Sequence, residues 1–124
     1  MARIKSKNTA PEMLVRRAAH RLGFRFRLYR RDLPGAPDLV FPRLRRVLFV
    51  HGCFWHQHDG CKRSNIPKSR LDYWSPKLGR NVVRDGTNIA ELKRLGWKVS
   101  IVWECETEAA DDLDARILTL LSSN

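Results

Sequence analysis

The chain has 124 residues, and its 24 lysines and arginines outweigh 13 aspartates and glutamates to give a formal charge of +11 at pH 7. A hydrophobic fraction of 43% excludes a disordered tail, and the length suits one domain, 1–124, but not two. Three cysteines, a polar basic start and no apolar run near the roughly eighteen residues of a membrane helix argue against a disulfide framework, a leader and a membrane span.

Residues 9–12, TAPE, match a helix start: Thr9 caps, Glu12 stands at the capping-box position and Pro11 fits the first turn. Met13, Leu14, Ala18 and Leu22 follow at near-helical spacing, and Gly23 ends the run. Phe24, Phe26 and Leu28 alternate with Arg25, Arg27 and Tyr29, the period of a half-buried strand. LPGAPD, 33–38, reads as a turn, because two prolines and a glycine forbid regular pairing. Leu39–Phe41 and Val47–Val50 are nearly continuous apolar runs, as expected of strands covered on both faces, with an arginine-bearing hairpin connection.

A basic loop, CKRSNIPKSR, leads into a helical region over roughly 70–95, with Trp74, Leu78, Val82, Ile89, Leu92 and Leu95 as its apolar positions. Pro76, Gly79 and Gly86 argue against one straight helix there. Gly96 stops it, Trp97–Trp103 reads as a strand, and Asp111–Leu121 as an amphipathic helix. The order αβββαβα gives an α/β fold, a single mixed β-sheet flanked by helices, without internal repeat or linker. An arginine-rich surface on so small a fold suits a polyanion, and nucleic acid is the expected partner. The cysteines imply a reducing cytoplasm in which they are free, metal-bound or catalytic.

Chemistry concentrates in FVHGCFWHQHDGC, residues 49–61. Cys53, His56, His58 and Cys61 are candidate zinc ligands within nine residues, and Cys105 adds a thiol at the end of the last strand. Structural zinc takes four ligands tetrahedrally, and three Cys with one His is a normal set. The spacing matches neither a two-Cys, two-His finger nor the zinc deaminase pattern. Spacing does not choose between His56 and His58.

Asp38 stands at the mouth of a strand after a rigid Pro-Gly-Ala-Pro turn. Phosphodiester hydrolysis calls for a metal that binds a nonbridging oxygen and lowers the pKa of a water. A carboxylate on a stiff strand end beside a second strand end suits such a metal. His51 ends that second strand, so both side chains are expected at one site, with His56 as base or as holder of water. Each residue alone has a plainer reading: a turn aspartate capping its own backbone, a capping-box Glu12, a surface or core histidine. Their coincidence around one short hairpin favours catalysis.

The motifs KNTAPE (7–12), LPGAPDLVF (33–41), FVHGCFWH (49–56), DYWSPKLGRNVVRD (72–85) and LGWKVSIVWEC (95–105) cover almost the whole chain in order. In these stretches the sequence resembles the very short patch repair (Vsr) endonuclease family, which nicks DNA at T:G mismatches. The resemblance implies a restriction-endonuclease-like fold and a monomeric, cytoplasmic, nucleoid-associated bacterial enzyme acting on T:G-mismatched double-stranded DNA alongside other mismatch-repair proteins. It implies Asp38 and the Val50 carbonyl as ligands of catalytic Mg2+, His51 and His56 as catalytic histidines, and Glu12 as the acid on the first helix. It makes Cys53, His58, Cys61 and Cys105 the ligands of structural Zn2+. Phe54, Trp55, Trp74 and Met1 become the residues inserted beside the mismatch, where stacking on exposed bases offsets the cost of unstacking. Relatives carry a polar arm upstream of the stretch matched by Met1 and Ile4, so the grip such an arm lends is expected to be missing. Two rivals are a same-fold nuclease with another DNA target, of homing or restriction type, and a zinc-stapled DNA-binding module without catalysis.

Overall fold

The computed structural model describes residues 9–122; Met1, expected beside the mismatch, lies outside them. Helix α1 spans Ala10–Arg21, with Thr9 as its cap accepting the Glu12 N–H through Oγ1 at 3.4 Å. It ends at Gly23, whose φ of +89° takes the chain out of the helix.

Strand β1 (Leu39–Phe41) pairs antiparallel with β2 (Arg46–His51), placing Leu39 opposite Leu48. Between them a single 3-10 turn, Pro42–Leu44, closes with Arg45 left-handed at φ 53°. Helix α2 (Leu71–Arg94) then crosses over to β3 (Lys98–Trp103), which lies parallel to β2, and α3 (Ala110–Ser122) follows. The sheet is mixed, in the order β1-β2-β3.

Strand periodicity sorts the side chains into two cores. Leu39, Phe41, Leu48 and Val102 face α1 and α3 through Val15, Ala18, Leu113 and Ile117. Val40, Val47 and Phe49 face the other way, onto Leu92 of α2 and Trp97. Helices on both faces explain why these strands read as continuous apolar runs.

Two expectations are corrected. The strand expected over 24–28 shrinks to one bridge, Arg27 with Val40, held by two backbone hydrogen bonds of 2.8 and 2.9 Å. Its alternation is nonetheless used: Phe24 and Phe26 pack edge-on against Phe41, at 6.4 and 6.0 Å between ring centroids. The neighbouring strand has only three residues, and Tyr29 turns left-handed at φ 60°, so no ladder forms.

The second correction concerns α2, which is one uninterrupted helix of 24 residues. Pro76 deprives only the Asp72 carbonyl of a helical donor, and Asp72 is exposed, so water can serve it. Gly79 and Gly86 face open space and cost about 1 kcal/mol each relative to alanine. Burial of Leu78 and Leu92, each worth about 2 kcal/mol, offsets that cost. No helix among the described residues is long and apolar enough to cross a membrane.

Candidate active site and thiol cluster

Antiparallel pairing sets the start of β1 beside the end of β2. Asp38, one residue before β1, therefore meets Val50, whose backbone N–H donates to Asp38 Oδ2 at 2.7 Å. Glu12, 4% exposed, comes to the same place from α1, and Arg16 one turn further along pairs with it. Burial pushes the Asp38 carboxyl up to about 7; Glu12 adds to the rise, while the Val50 N–H and the Arg16 charge oppose it. Two acids, Glu12 buried and Asp38 half-buried, stand against one guanidinium, an oxygen-rich pocket suited to a hard cation.

His51 closes β2, and the ring of His56 lies on it, with centroids 3.8 Å apart and planes 6° from parallel. His56 Nδ1 is 2.6 Å from Asp85 Oδ2, which α2 brings in from the other side. Donating Nδ1–H to Asp85 leaves His56 Nε2 with a free lone pair, the tautomer a general base needs. His51 is 5% exposed, and its Nδ1 has no hydrogen-bond partner among the described residues. Burial lowers its pKa to about 4; the His56 charge lowers it further and Asp85 opposes. Donor atoms of His51, His56 and Asp85 lie within 4.8 Å of one another. A cation between parallel rings would sit well out of both ring planes, away from the lone pairs, so the trio suits proton transfer better than metal binding.

A cleft of ≈ 820 Å³ opens on Asp38, His51, His56 and Asp85, with Phe54 and Trp55 in its wall. Phe54, Trp55 and Trp74 meet edge to face, with centroids 5.2–5.4 Å apart. All three are half-buried and none belongs to either core. Asn81 of α2 fixes this triplet by donating to the Trp55 carbonyl at 3.0 Å.

The same loop holds the thiols. Gln57 is left-handed at φ 50°, so its neighbours His56 and His58 leave the loop on different sides. His58 Nδ1 lies 3.7 Å from Cys53 Sγ and 3.5 Å from Cys105 Sγ, and with Cys61 the four donors lie within 4.8 Å of one another. A tetrahedral zinc site has a sulfur–nitrogen edge of about 3.6 Å, so the cluster fits such a cation. Burial pushes the Cys53 thiol up to about 12, and the Arg63 backbone N–H holds Cys61 below its ordinary value. Trp103 joins the two centres, stacked on His58 at 4.1 Å and edge-on to His51 at 5.2 Å.

The structure thus brings together every described residue singled out from the sequence: Glu12, Asp38, Val50, His51 and His56 in the cleft, Phe54, Trp55 and Trp74 beside it, and Cys53, His58, Cys61 and Cys105 behind. Sequence reasoning missed Arg16 and Asp85. For Asp85 a signal existed. It falls in register with Trp74, Leu78 and Leu92, an acid on the inward line of an amphipathic helix.

A family model described as DNA mismatch endonuclease Vsr matches residues 1–63. Over 119 residues the chain is 40% identical to the DNA mismatch endonuclease Vsr of Escherichia coli K12, covering 96% of this chain and 76% of that one. The chain belongs to the Vsr family. Other relatives carry nicking-enzyme names. The type II nicking enzyme V.XorIIP of Xanthomonas oryzae pv. oryzae is 54% identical over 121 residues, 98% of this chain and 88% of its own. V.NmeAIP of Neisseria meningitidis is 45% identical over 106 residues, 86% and 75% respectively. The Vsr family match takes in α1, β1, β2 and the loop through Cys61.

Proposed function

We propose that this protein is a metal-dependent DNA endonuclease that nicks the strand 5′ of the thymine in a T:G mismatch, on a single restriction-endonuclease-like domain. One observation carries the reading: the Asp38 carboxyl and Val50 backbone meet at adjacent strand ends in one cleft with the His51–His56 stack and Asp85. Family membership and the names of the nicking-enzyme relatives support DNA as substrate and a single-strand cut. The HGCFWH and WEC motifs support T:G as the target.

Asp38 and the Val50 carbonyl would hold Mg2+, whose charge the Glu12–Asp38 pair suits. Bound there, the ion supplies Lewis acidity and makes a nearby water more acidic. The chain's own groups do the rest. Asp85 orients His56 so that Nε2 takes a proton from the attacking water. The water oxygen bonds to phosphorus, the phosphorus–oxygen bond to the leaving nucleotide breaks, and the leaving oxygen gains a proton from solvent. His51, kept neutral by burial, sets no second positive charge against the imidazolium that forms on His56. Phe54, Trp55 and Trp74 would stack on bases unstacked at the mispair, which opens more easily than a matched pair. Cys53, His58, Cys61 and Cys105 would bind structural Zn2+ and fix the loop that aims both His56 and the aromatics. The enzyme would act as a cytoplasmic monomer at the bacterial nucleoid, with other mismatch-repair proteins using its nick.

Nicking of a T:G duplex in Mg2+, compared with the matched duplex and with Asp38→Ala, tests this. Cleavage of one strand of the T:G duplex alone, lost in Asp38→Ala, is expected. Equal cutting of both duplexes overturns the mismatch reading, and double-strand breaks in matched DNA would point to a nuclease with another target. DNA binding without metal-dependent cleavage would leave a zinc-stapled binding module.

A further inference from the structure

Helix α2 carries three parallel lines of residues. Trp74, Leu78, Asn81 and Asp85 form the inward line, with Leu78 buried and Trp74, Asn81 and Asp85 meeting Phe54, the Trp55 carbonyl and His56. One residue behind each lies Tyr73, Lys77, Arg80 or Arg84, all exposed; one residue ahead lies the uncharged line of Ser75, Gly79, Val82 and Gly86. The helix is therefore basic along one flank of the site line and neutral along the other.

The cations of this flank are free of ion pairs among the described residues, unlike several arginines of the surface. Elsewhere Arg21 pairs with Asp114, Arg30 with Asp32, Arg63 with Glu108, Arg94 with Glu91 and Arg116 with Glu106. Among the described residues no cation of the α2 flank pairs with a carboxylate. Lys77 instead donates to the Tyr73 hydroxyl at 3.2 Å, Arg70 lies 5.0 Å over the Tyr73 ring, and Arg84 donates to the Asn81 amide oxygen. These contacts orient the charges without neutralising them. From Tyr73 to Arg84 the line is about 16 Å long at 1.5 Å per residue, which spans several phosphates of one DNA strand.

We infer that the Arg70–Lys77–Arg80–Arg84 flank of α2 is a sequence-independent phosphate track that holds duplex DNA beside the cleft. The inference rests on the nuclease reading and adds to it the surface that grips substrate regardless of mismatch. The flank supplies charge, and the aromatic triplet, of which Trp74 stands on the adjacent line, supplies selectivity.

The test is binding of a fluorescent matched duplex and its T:G counterpart over a range of NaCl, without added Mg2+. Arg80→Gln with Arg84→Gln is expected to weaken both duplexes alike and to reduce the slope of log K against log salt by about 2. The corresponding lysine pair should keep the wild-type slope, since charge rather than fork geometry is read. Arg43→Gln, in the turn at the opposite end of the strands from Asp38 and His51, should leave the slope unchanged. Arg80→Gln alone, at an exposed side chain, still tests the idea through a fall of about 1 if the double variant misfolds. An unchanged slope, an equal fall in Arg43→Gln, or a loss confined to the T:G duplex overturns the track. A chain that shows the slope change yet nicks nothing keeps the track and loses the cleavage reading.

Discussion

The rings of His51 and His56 lie face to face, 3.8 Å between centroids and 6° from parallel. Two imidazolium charges at that separation would repel by about 4 kcal/mol at an effective dielectric of about 20. The stack therefore carries at most one proton charge near neutrality. Burial keeps His51 uncharged down to about pH 4, and Asp85 holds His56 in the orientation that the proposed base needs.

Asp85→Asn tests that division of labour. Asparagine can present an N–H to His56 Nδ1 and so favour the tautomer whose Nε2 carries the proton. A fall in kcat of about 10²- to 10⁴-fold with unchanged DNA affinity is expected from single-turnover nicking and equilibrium binding. A variant that nicks at the wild-type rate would remove His56 as base.

Asp38→Asn should stabilise the metal-free protein while ending Mg2+-dependent nicking. The folded-state pKa of Asp38 is raised from 3.8 to about 7. Its contribution to stability is therefore full below about pH 4 and is lost as pH rises through 7. Asparagine never ionises and keeps an acceptor for the Val50 N–H, so at pH 8 a gain on the order of 1–3 kcal/mol is expected. Thermal melts in chelator-free, Mg2+-free buffer would show it as a melting temperature several degrees higher. His51 acts in the opposite sense: its pKa is depressed, so its contribution is present above its ordinary 6.5 and is lost as pH falls through about 4. Between about pH 4 and 6.5 the two contributions change in opposite directions, so together they should leave the stability of the metal-free wild type nearly level across that window.

Loss of zinc from the thiol cluster proposed to bind it should disturb both centres, because Trp103 touches His58 and His51. Purified protein is expected to contain about one zinc per chain. Cys105→Ser, or prolonged chelation, should release it, change tryptophan fluorescence and cost several kcal/mol of stability. Nicking should fall in parallel, since Phe54, Trp55 and His56 ride on the same loop. A wild type that is metal-free, folded and active would end the zinc assignment.

Gly35→Ala probes the turn that delivers Asp38. A Cβ at Gly35 would lie 3.1 Å from Asn88 of α2, and φ is +76°. Left-handed strain costs about 1 kcal/mol, and the contact presses on the helix three residues beyond Asp85. Gly60→Ala, with φ +74° and nothing within 4 Å of the added carbon, carries the strain alone. Gly35→Ala should therefore lose more kcat than Gly60→Ala at similar loss of melting temperature; equal kcat in the two variants would show that α2 does not transmit the contact.

Residue order alone determined the layered α/β plan. Continuous apolar runs at Leu39–Phe41 and Val47–Val50, helical spacing in α1 and α3, and stops at Gly23 and Gly96 are local properties, so each element could be read from its own stretch. So could the crowding of donors at 51–61, because those residues are neighbours in the chain. Tertiary structure decided what depends on distant partners. The strand period at 24–28 was present, but β1 offers it only one pairing position. Pro76 and the two glycines warned of a break in α2, yet burial of Leu78 and Leu92 holds that helix together. Spacing left His56 and His58 equivalent, and the left-handed Gln57 separates them, one toward Asp85 and the other toward Cys105. A sequence states which residues are acidic, basic or apolar; which acid meets which histidine across 29 positions, Asp85 with His56, is fixed only when packing brings α2 over the strand ends.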